Sequence, residues 1–156
     1  MKILLTETDF SKLKEKIKKA KEEGNTVIYT SKDDELNRKV MEKLPISTLL
    51  INQTDRKDFQ KQRNSGLNQV MVKIAKKQGI IIGINFDEIL EANSQKEREE
   101  IIARIKQNIK LCNKNKVKMN FIIQKEKNQR NLYDLKSLGI VLGMPTWMTS
   151  HLSKQF

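Results

Sequence analysis

The chain of 156 residues holds 31 Lys and Arg against 19 Asp and Glu, which gives a formal net charge of +12 and favours a polyanionic partner, either a nucleic acid or an anionic membrane surface. Its single cysteine, Cys112, excludes an internal disulfide, and its single histidine, His151, leaves too few ligands for a Cys/His zinc site. Because no apolar run approaches the roughly 20 residues of a spanning helix and no signal-peptide layout is present, we expect a cytoplasmic protein with one domain over residues 1–156 and no membrane partner.

Short β-branched runs alternate along the chain with longer segments whose apolar residues fall at helical spacing. The predicted strands are residues 2–5, 26–30, 47–51, 80–84 and 117–123. The helices predicted between and after them carry the apolar positions Leu13 and Ile17, Val40 and Leu44, Met71 and Ile74, Ile101 and Ile105, and finally Leu135 and Leu138. Residues 146–156 are expected to form one more short helix. This alternation predicts an α/β fold with a mostly parallel sheet.

Two polar segments interrupt this regular pattern. Residues 52–65, NQTDRKDFQKQRNS, have no periodicity, which predicts a solvated loop, and residues 124–131, QKEKNQRN, follow the last predicted strand. Long loops at the carboxyl ends of strands tend to carry function in α/β folds. We therefore expect their cations to contact phosphates and their amide side chains to reach sugars or base edges. The alternative is that a Lys-rich surface serves solubility alone.

Enzyme motifs are absent, because the sequence has no Gly-rich phosphate loop, no Ser elbow and no HExxH pattern. Asp87 and Glu88 follow a predicted strand and could bind Mg²⁺, but helix capping and ion pairing explain them equally well. Cys112 is interpreted as a core residue, and Trp147 either seals a core edge or stacks on a base. The charged residues between Ser94 and Cys112 are interpreted mainly as a solvated helix face with short-range ion pairs.

A family resemblance begins at residues 63–90, RNSGLNQVMVKIAKKQGIIIGINFDEIL, which closely resemble the archaeal and eukaryotic ribonuclease P protein component 3 family. The likeness continues through residues 93–124 and ends at residues 128–144, NQRNLYDLKSLGIVLGM. In that family the first block reads Arg/Lys, Asp/Asn, any residue, Gly, aliphatic, Asp/Asn, His. The last block reads Arg-x-x-x-Asp-Leu before an aliphatic-Gly-Met ending. Together the blocks cover a little over half of the chain.

The resemblance implies a TIM-barrel-like α/β protein. Because the region before residue 63 matches poorly, the barrel is expected to be reduced or incomplete, with about five to six mainly parallel strands. It also implies a non-catalytic subunit of ribonuclease P, which binds the RNA of that enzyme and supports removal of the 5′ leader from precursor tRNA. The implied partners are the ribonuclease P RNA, precursor tRNA and a second small protein subunit. The protein itself is expected to bind no cofactor, whereas the RNA requires Mg²⁺.

The family pattern also implicates a set of RNA-binding residues, namely Arg63, Asn68, Gln69, Lys77, Lys114, Arg130 and Asp134. The guanidinium groups of Arg63 and Arg130 are suited to paired hydrogen bonds to a phosphate, and Asp134 would orient a neighbouring cation. Gln69 occupies the usual His position, where an amide can still form hydrogen bonds but cannot titrate. Two alternatives stay open: a metal-dependent phosphoesterase of a related barrel fold, and a non-catalytic scaffold whose positive loops meet an acidic protein.

Overall fold

The computed structural model describes residues 1–153. Its centre is one sheet of five strands, whose order across the sheet is their order along the chain: β1 (Lys2–Leu5), β2 (Thr26–Tyr29), β3 (Thr48–Ile51), β4 (Ile81–Asn85) and β5 (Met119–Ile122). Every neighbouring pair is parallel. The sheet is open, with β1 and β5 at its two edges. The prediction of an α/β fold built as an incomplete parallel barrel is therefore confirmed, with five strands.

Seven α-helices connect and follow the strands in the described part of the chain. They are α1 (Phe10–Glu22), α2 (Asp34–Lys43), α3 (Gln69–Gln78), α4 (Phe86–Leu90), α5 (Gln95–Lys114), α6 (Leu132–Val141) and α7 (Thr146–Thr149), and a 3-10 helix (Glu126–Asn128) precedes α6. Six helices begin at a side chain that accepts a backbone N–H of the first turn, which satisfies a donor that the helix itself leaves unpaired. These caps are Asp9, Asp33, Asn68, Asn85, Ser94 and Asn131.

The core lies mainly between the helices and one face of the sheet. Alternate strand residues such as Val27, Tyr29 and Phe121 are fully buried against the helices in one large cluster. The opposite face of the sheet buries a smaller cluster of Ile28, Leu50 and Ile122. Burial on both faces explains why the strands are continuously apolar rather than alternating with polar residues.

The structure departs from the predicted elements at their ends and in two short helices. The fifth strand is shorter than predicted, and α4 and the 3-10 helix were not predicted at all. Both helices have five residues or fewer, which is too few for a helical period to be visible in the sequence. Of the predicted tail helix, α7 is observed, and residues 154–156 lie outside the described residues. Within residues 1–153, none of the helices is both long and apolar enough to cross a membrane.

Candidate nucleic-acid interface

The long irregular segment after β3, residues 52–68, is held against the protein by a buried arginine of α5. Arg104 is only 3% exposed. Its guanidinium donates from Nε to Asp58 Oδ1, from Nη1 to the Gln53 carbonyl and from Nη2 to the Arg56 carbonyl, each at 3.0 Å. The interpretation of Arg104 as part of a solvated helix face was therefore wrong. The loop itself is irregular but anchored, since three of its residues share one buried cation.

A second arginine, Arg56, belongs to the loop itself and connects it to α2. Arg56 donates to both carboxylate oxygens of Asp34 on α2, at 2.8 and 3.0 Å, and its Nε donates to the Asn52 carbonyl at 2.6 Å. Gly66 lies directly against this guanidinium with a φ of +75°, and a Cβ at that position would be 2.5 Å from Arg56 Nη2. Both the positive φ and the close approach require glycine. The turn before α3 is thus shaped by the packing of Arg56.

The two carboxylates of α4 that were candidates for a metal site, Asp87 and Glu88, accept hydrogen bonds from neighbouring loops. Glu88 accepts the backbone N–H groups of Gln53 and Thr54 and the Thr54 hydroxyl, at 2.7, 3.2 and 2.7 Å. Asp87 is buried and accepts the Gln124 backbone N–H at 2.8 Å and the Asn128 amide at 2.7 Å. Within residues 1–153 no three His, Cys, Asp or Glu side chains converge as a metal site would require.

The anchored loop forms one wall of an open groove of about 700 Å³. Its other walls are α2, the first turn of α3 and the carboxyl-terminal half of α5. Among the side chains that line it are the cations Arg38, Arg63, Lys110 and Lys114, the amides Gln62, Asn64, Asn68, Gln69 and Gln107, the aromatic ring of Phe59 and the carboxylates Asp34 and Glu35. Cations outnumber carboxylates, and the charge of Asp34 is balanced by Arg56. The groove is therefore a positively charged cleft with several hydrogen-bonding amides.

Four of the seven predicted RNA-binding residues line this groove: Arg63, Asn68, Gln69 and Lys114. The Arg63 side chain is 44% exposed and donates from Nη1 to Asp58 Oδ2 at 3.0 Å. Asn68 uses its oxygen to cap α3, accepting the Met71 N–H at 2.9 Å. The amides of Gln69 and Asn115 donate to each other at 3.1 and 3.3 Å, which connects the start of α3 to the end of α5.

The other three predicted residues do not line the groove. Lys77 is exposed on the last turn of α3, about 14 Å along the helix axis from Asn68. Arg130 lies after β5 with its guanidinium carbon 5.9 Å from the centre of the Phe86 ring. Asp134 accepts the Asn131 amide at 2.9 Å, and Asn131 in turn accepts the Asp134 backbone N–H at 2.8 Å. These two side chains cap the start of α6.

Sequence reasoning missed several groove residues, among them Arg38, Phe59 and Lys110. One signal was available for Lys110, because it precedes Lys114 by four residues and so lies on the same helix face. Another was available for Phe59, the only aromatic residue in the polar segment 52–65. A signal of the same kind as that for Lys110 was available for Arg38, because it follows the groove residues Asp34 and Glu35 by one turn of α2.

The charge of the loop carboxylate Asp58 is stabilised by the two arginines that pair with it, Arg104 and Arg63. The pKa of Asp58 is lowered, first because Arg104 donates a hydrogen bond to its carboxylate, then because the Asn64 backbone N–H does so and Arg63 lies close by. Near the carboxyl-terminal end of α5, Cys112 is fully buried, and burial raises the pKa of its thiol to about 12. The core interpretation of Cys112 is confirmed. Trp147 is half-buried, with its indole N–H donating to Asn113 Oδ1 at 2.9 Å.

The fold and the groove define the class of protein. It is a parallel α/β protein whose open sheet has its strands in chain order and whose main core lies between the helices and one face of that sheet. Helices and one anchored loop form a basic cleft on it. The same fold occurs in a chain of the cryo-EM structure of archaeal ribonuclease P with mature tRNA, with a TM-score of 0.78 and 21% identity over 94% of this chain. This chain spans 62% of the length of that one. The structural likeness agrees with the resemblance seen in the sequence blocks.

A second solved structure is more distant. It is a tetrameric deoxyribose phosphate aldolase from Aeropyrum pernix, with a TM-score of 0.49 and 13% identity over 90% of this chain and 58% of that chain. No protein-family model matches the sequence, and no curated protein matches it either.

Proposed function

We propose that this chain is a protein subunit of ribonuclease P, and that it binds the RNA of that enzyme and supports removal of the 5′ leader from precursor tRNA. The observation that carries the proposal is the fold, which is shared over 94% of the chain with a component of archaeal ribonuclease P. The sequence blocks between residues 63 and 144, which resemble the ribonuclease P protein component 3 family, support the same proposal. The formal charge of +12 supports a nucleic-acid partner.

The groove supplies a physical means of binding RNA. Its exposed lysines, Lys110 and Lys114, form no ion pair within residues 1–153, so both are available to phosphates. Each phosphate contact releases counterions, which makes the affinity fall steeply with salt. Asn68 lines the same groove, and its amide nitrogen forms no hydrogen bond within residues 1–153. Amides are suited to the 2′-hydroxyl groups of RNA.

In this proposal the RNA and its Mg²⁺ perform the cleavage, and the protein contributes positive charge and a preformed surface. Cations on the protein lower the repulsion between phosphates of the folded RNA. The protein itself holds no cofactor and acts in the cytoplasm, as one domain of the holoenzyme. Its partners are the ribonuclease P RNA, precursor tRNA and a second small protein subunit of the enzyme.

The test is cleavage of precursor tRNA by reconstituted ribonuclease P RNA with its other small subunit, with and without this chain and across a range of salt. We expect the chain to raise the rate or to lower the Mg²⁺ requirement. Arg63→Ala, in the groove, and Arg130→Ala, outside it, are expected to weaken that effect. The matched control is Lys14→Ala, which removes an exposed cation of α1 outside the groove and is expected to behave as the wild type.

The alternatives give different results in the same experiment. A scaffold that contacts only an acidic protein would leave cleavage unchanged and would keep its partner after nuclease treatment. A metal-dependent phosphoesterase would hydrolyse a phosphate ester without RNA. A chain that neither binds ribonuclease P RNA nor changes cleavage is not a subunit of this enzyme.

A further inference from the structure

Phe59 is an exposed aromatic residue in an otherwise anchored loop. It is 58% exposed. Its neighbour Asp58 accepts hydrogen bonds from Arg104 Nε at 3.0 Å, from the Asn64 backbone N–H at 2.9 Å and from Arg63 Nη1 at 3.0 Å. Because three hydrogen bonds fix Asp58, they also fix the backbone beside Phe59, and the ring stays exposed.

The surroundings of this ring are polar and cationic. Arg63, Lys110 and Lys114 line the same groove, and Gln62 is exposed beside them. The groove volume of about 700 Å³ lies within the roughly 300–1,000 Å³ that is usual for a site that encloses a small ligand. A nucleotide is a ligand of this kind.

An aromatic face beside a track of cations is the arrangement that binds single-stranded nucleic acid, because each base offers a flat face for stacking and each phosphate a negative charge. A double helix keeps its base faces covered, so it cannot use such a ring in the same way. The groove therefore favours unpaired RNA.

Apart from Phe59, the large apolar side chains that line the groove are Leu67, Met71 and Leu111. Leu67 and Met71 are 7% and 2% exposed, and Leu111 is half-buried, so the exposed apolar side chains of the groove are the Phe59 ring and part of Leu111. Protein interfaces have an apolar centre made of several contiguous side chains. One ring and one half-buried leucine among cations and amides do not form such a centre, so the groove favours a nucleic acid.

We propose that the groove takes a single-stranded segment of RNA, with one unpaired base stacked on the Phe59 ring and the adjoining phosphates against Arg63, Lys110 and Lys114. This inference rests on the proposed function for the identity of the RNA, and it adds the form in which that RNA is bound. It also assigns a binding residue that the family pattern does not contain.

The test measures binding of the full chain to three probes across salt, by fluorescence anisotropy. The probes are a twelve-nucleotide oligouridylate, an RNA duplex of the same length and ribonuclease P RNA. We expect Phe59→Ala to weaken binding of the oligouridylate about tenfold, since stacking contributes an affinity of this order for each base. The slope of affinity against salt should stay unchanged, because no charge is removed.

Three further variants separate stacking from other contacts. Phe59→Leu keeps an apolar side chain without an aromatic face and is expected to lose nearly as much affinity as Phe59→Ala. Phe59→Trp is expected to keep the affinity and to show fluorescence quenching by the oligouridylate beyond that of the wild type, whose only tryptophan is Trp147. Lys110→Ala is expected to reduce the salt slope by about one, as loss of one phosphate contact does.

The outcomes distinguish this inference from the proposed function. If Phe59→Ala and Phe59→Leu bind the oligouridylate as tightly as the wild type, or lose duplex binding equally, stacking is overturned even where ribonuclease P RNA is still bound. If the oligouridylate is bound through Phe59 while ribonuclease P RNA is neither bound nor assisted in cleavage, the stacking inference stands and the proposed function fails.

Discussion

Arg104 of α5 and Asp58 of the loop after β3 are joined by a hydrogen bond of 3.0 Å across 46 positions of sequence. The pair connects the element that carries Lys110 and Lys114 to the loop that carries Phe59 and Arg63. Since both walls of the groove depend on it, the stability of the protein and the shape of the groove are coupled through these two residues.

Replacement of Arg104 by Leu should destabilise the protein strongly. It removes one of the three donors to the Asp58 carboxylate and the Arg104 donors to the carbonyls of Gln53 and Arg56, which weakens the hold of α5 on the loop. We expect the free energy of unfolding to fall by about 3 kcal/mol, measured by urea denaturation. Lys106→Leu, at an exposed position on the same helix, is the control and should change it by less than about 0.5 kcal/mol. Equal losses in the two variants would argue against the anchoring role.

The contribution of Asp58 to the free energy of unfolding should depend on pH. Its folded pKa lies below the ordinary value, chiefly through the hydrogen bond from Arg104. The carboxylate therefore stabilises the fold fully above the unfolded pKa of about 3.9, and that stabilisation is lost as the pH falls through the lowered folded pKa. Asp58→Asn should be less stable than the wild type at neutral pH, and the difference should shrink in acid. Urea denaturation between about pH 2 and pH 7 measures this, and a constant difference would contradict it.

Gly66→Ala should cost more stability than Gly24→Ala. Both glycines have nearly the same positive φ, +75° and +76°, so both variants carry the backbone strain of about 1–2 kcal/mol. Only at Gly66 would the new Cβ collide with Arg56 Nη2 and with Ile51 Cγ2, at 2.5 and 2.7 Å, whereas nothing lies within 4 Å at Gly24. We expect an additional loss of about 1–3 kcal/mol for Gly66→Ala in thermal or urea unfolding. Identical losses would mean that Arg56 moves aside at no cost.

Cys112 should be unreactive in the folded protein. The thiolate is the reactive form, and burial raises the pKa of this thiol to about 12, so almost none of it is ionised at about pH 8. A chromogenic disulfide reagent should therefore modify the native chain very slowly and should modify one thiol per chain as soon as denaturant is added. Rapid modification without denaturant would show that the core around α5 opens readily.

Lys114→Ala should weaken binding of ribonuclease P RNA more than Lys77→Ala does. Both lysines are exposed in the last turn of a helix, and both were implicated by the family pattern, but only Lys114 lines the groove. We expect loss of Lys114 to reduce the slope of log affinity against log salt by about one, and loss of Lys77 to leave the slope near that of the wild type. The reverse order would place the RNA on the other end of α3.

The order of the strands and helices was predictable because each of them is indicated by a pattern of neighbouring residues in the sequence. The apolar run Leu49, Leu50, Ile51 lies in a predicted strand, and in the structure all three residues belong to β3 and are buried. Ser94 and Glu97 have the spacing of a capping box, and the Ser94 hydroxyl accepts the Glu97 N–H at 3.1 Å at the start of α5. The reciprocal half of the box differs, since Glu97 Oε2 accepts from the Asn93 backbone N–H at 2.6 Å.

The groove was predictable only in part. Arg63, Asn68 and Gln69 lie close together in sequence, so one motif could identify all three. Arg104 was misjudged because its helical neighbours are charged and its burial comes from a loop that folds over it from about 46 positions earlier. Contacts of this range depend on the completed tertiary structure and leave no periodic signal in the sequence.

The agreement between strand order and chain order also has a meaning for how the protein is made. Each strand can add to the edge of the one before it as the chain emerges during synthesis, from β1 to β5. The loop after β3 is an exception, because Asp58 must wait for Arg104, which follows it by 46 residues and hence by about two to nine seconds of translation. The groove is thus finished late, after most of the sheet that supports it has formed.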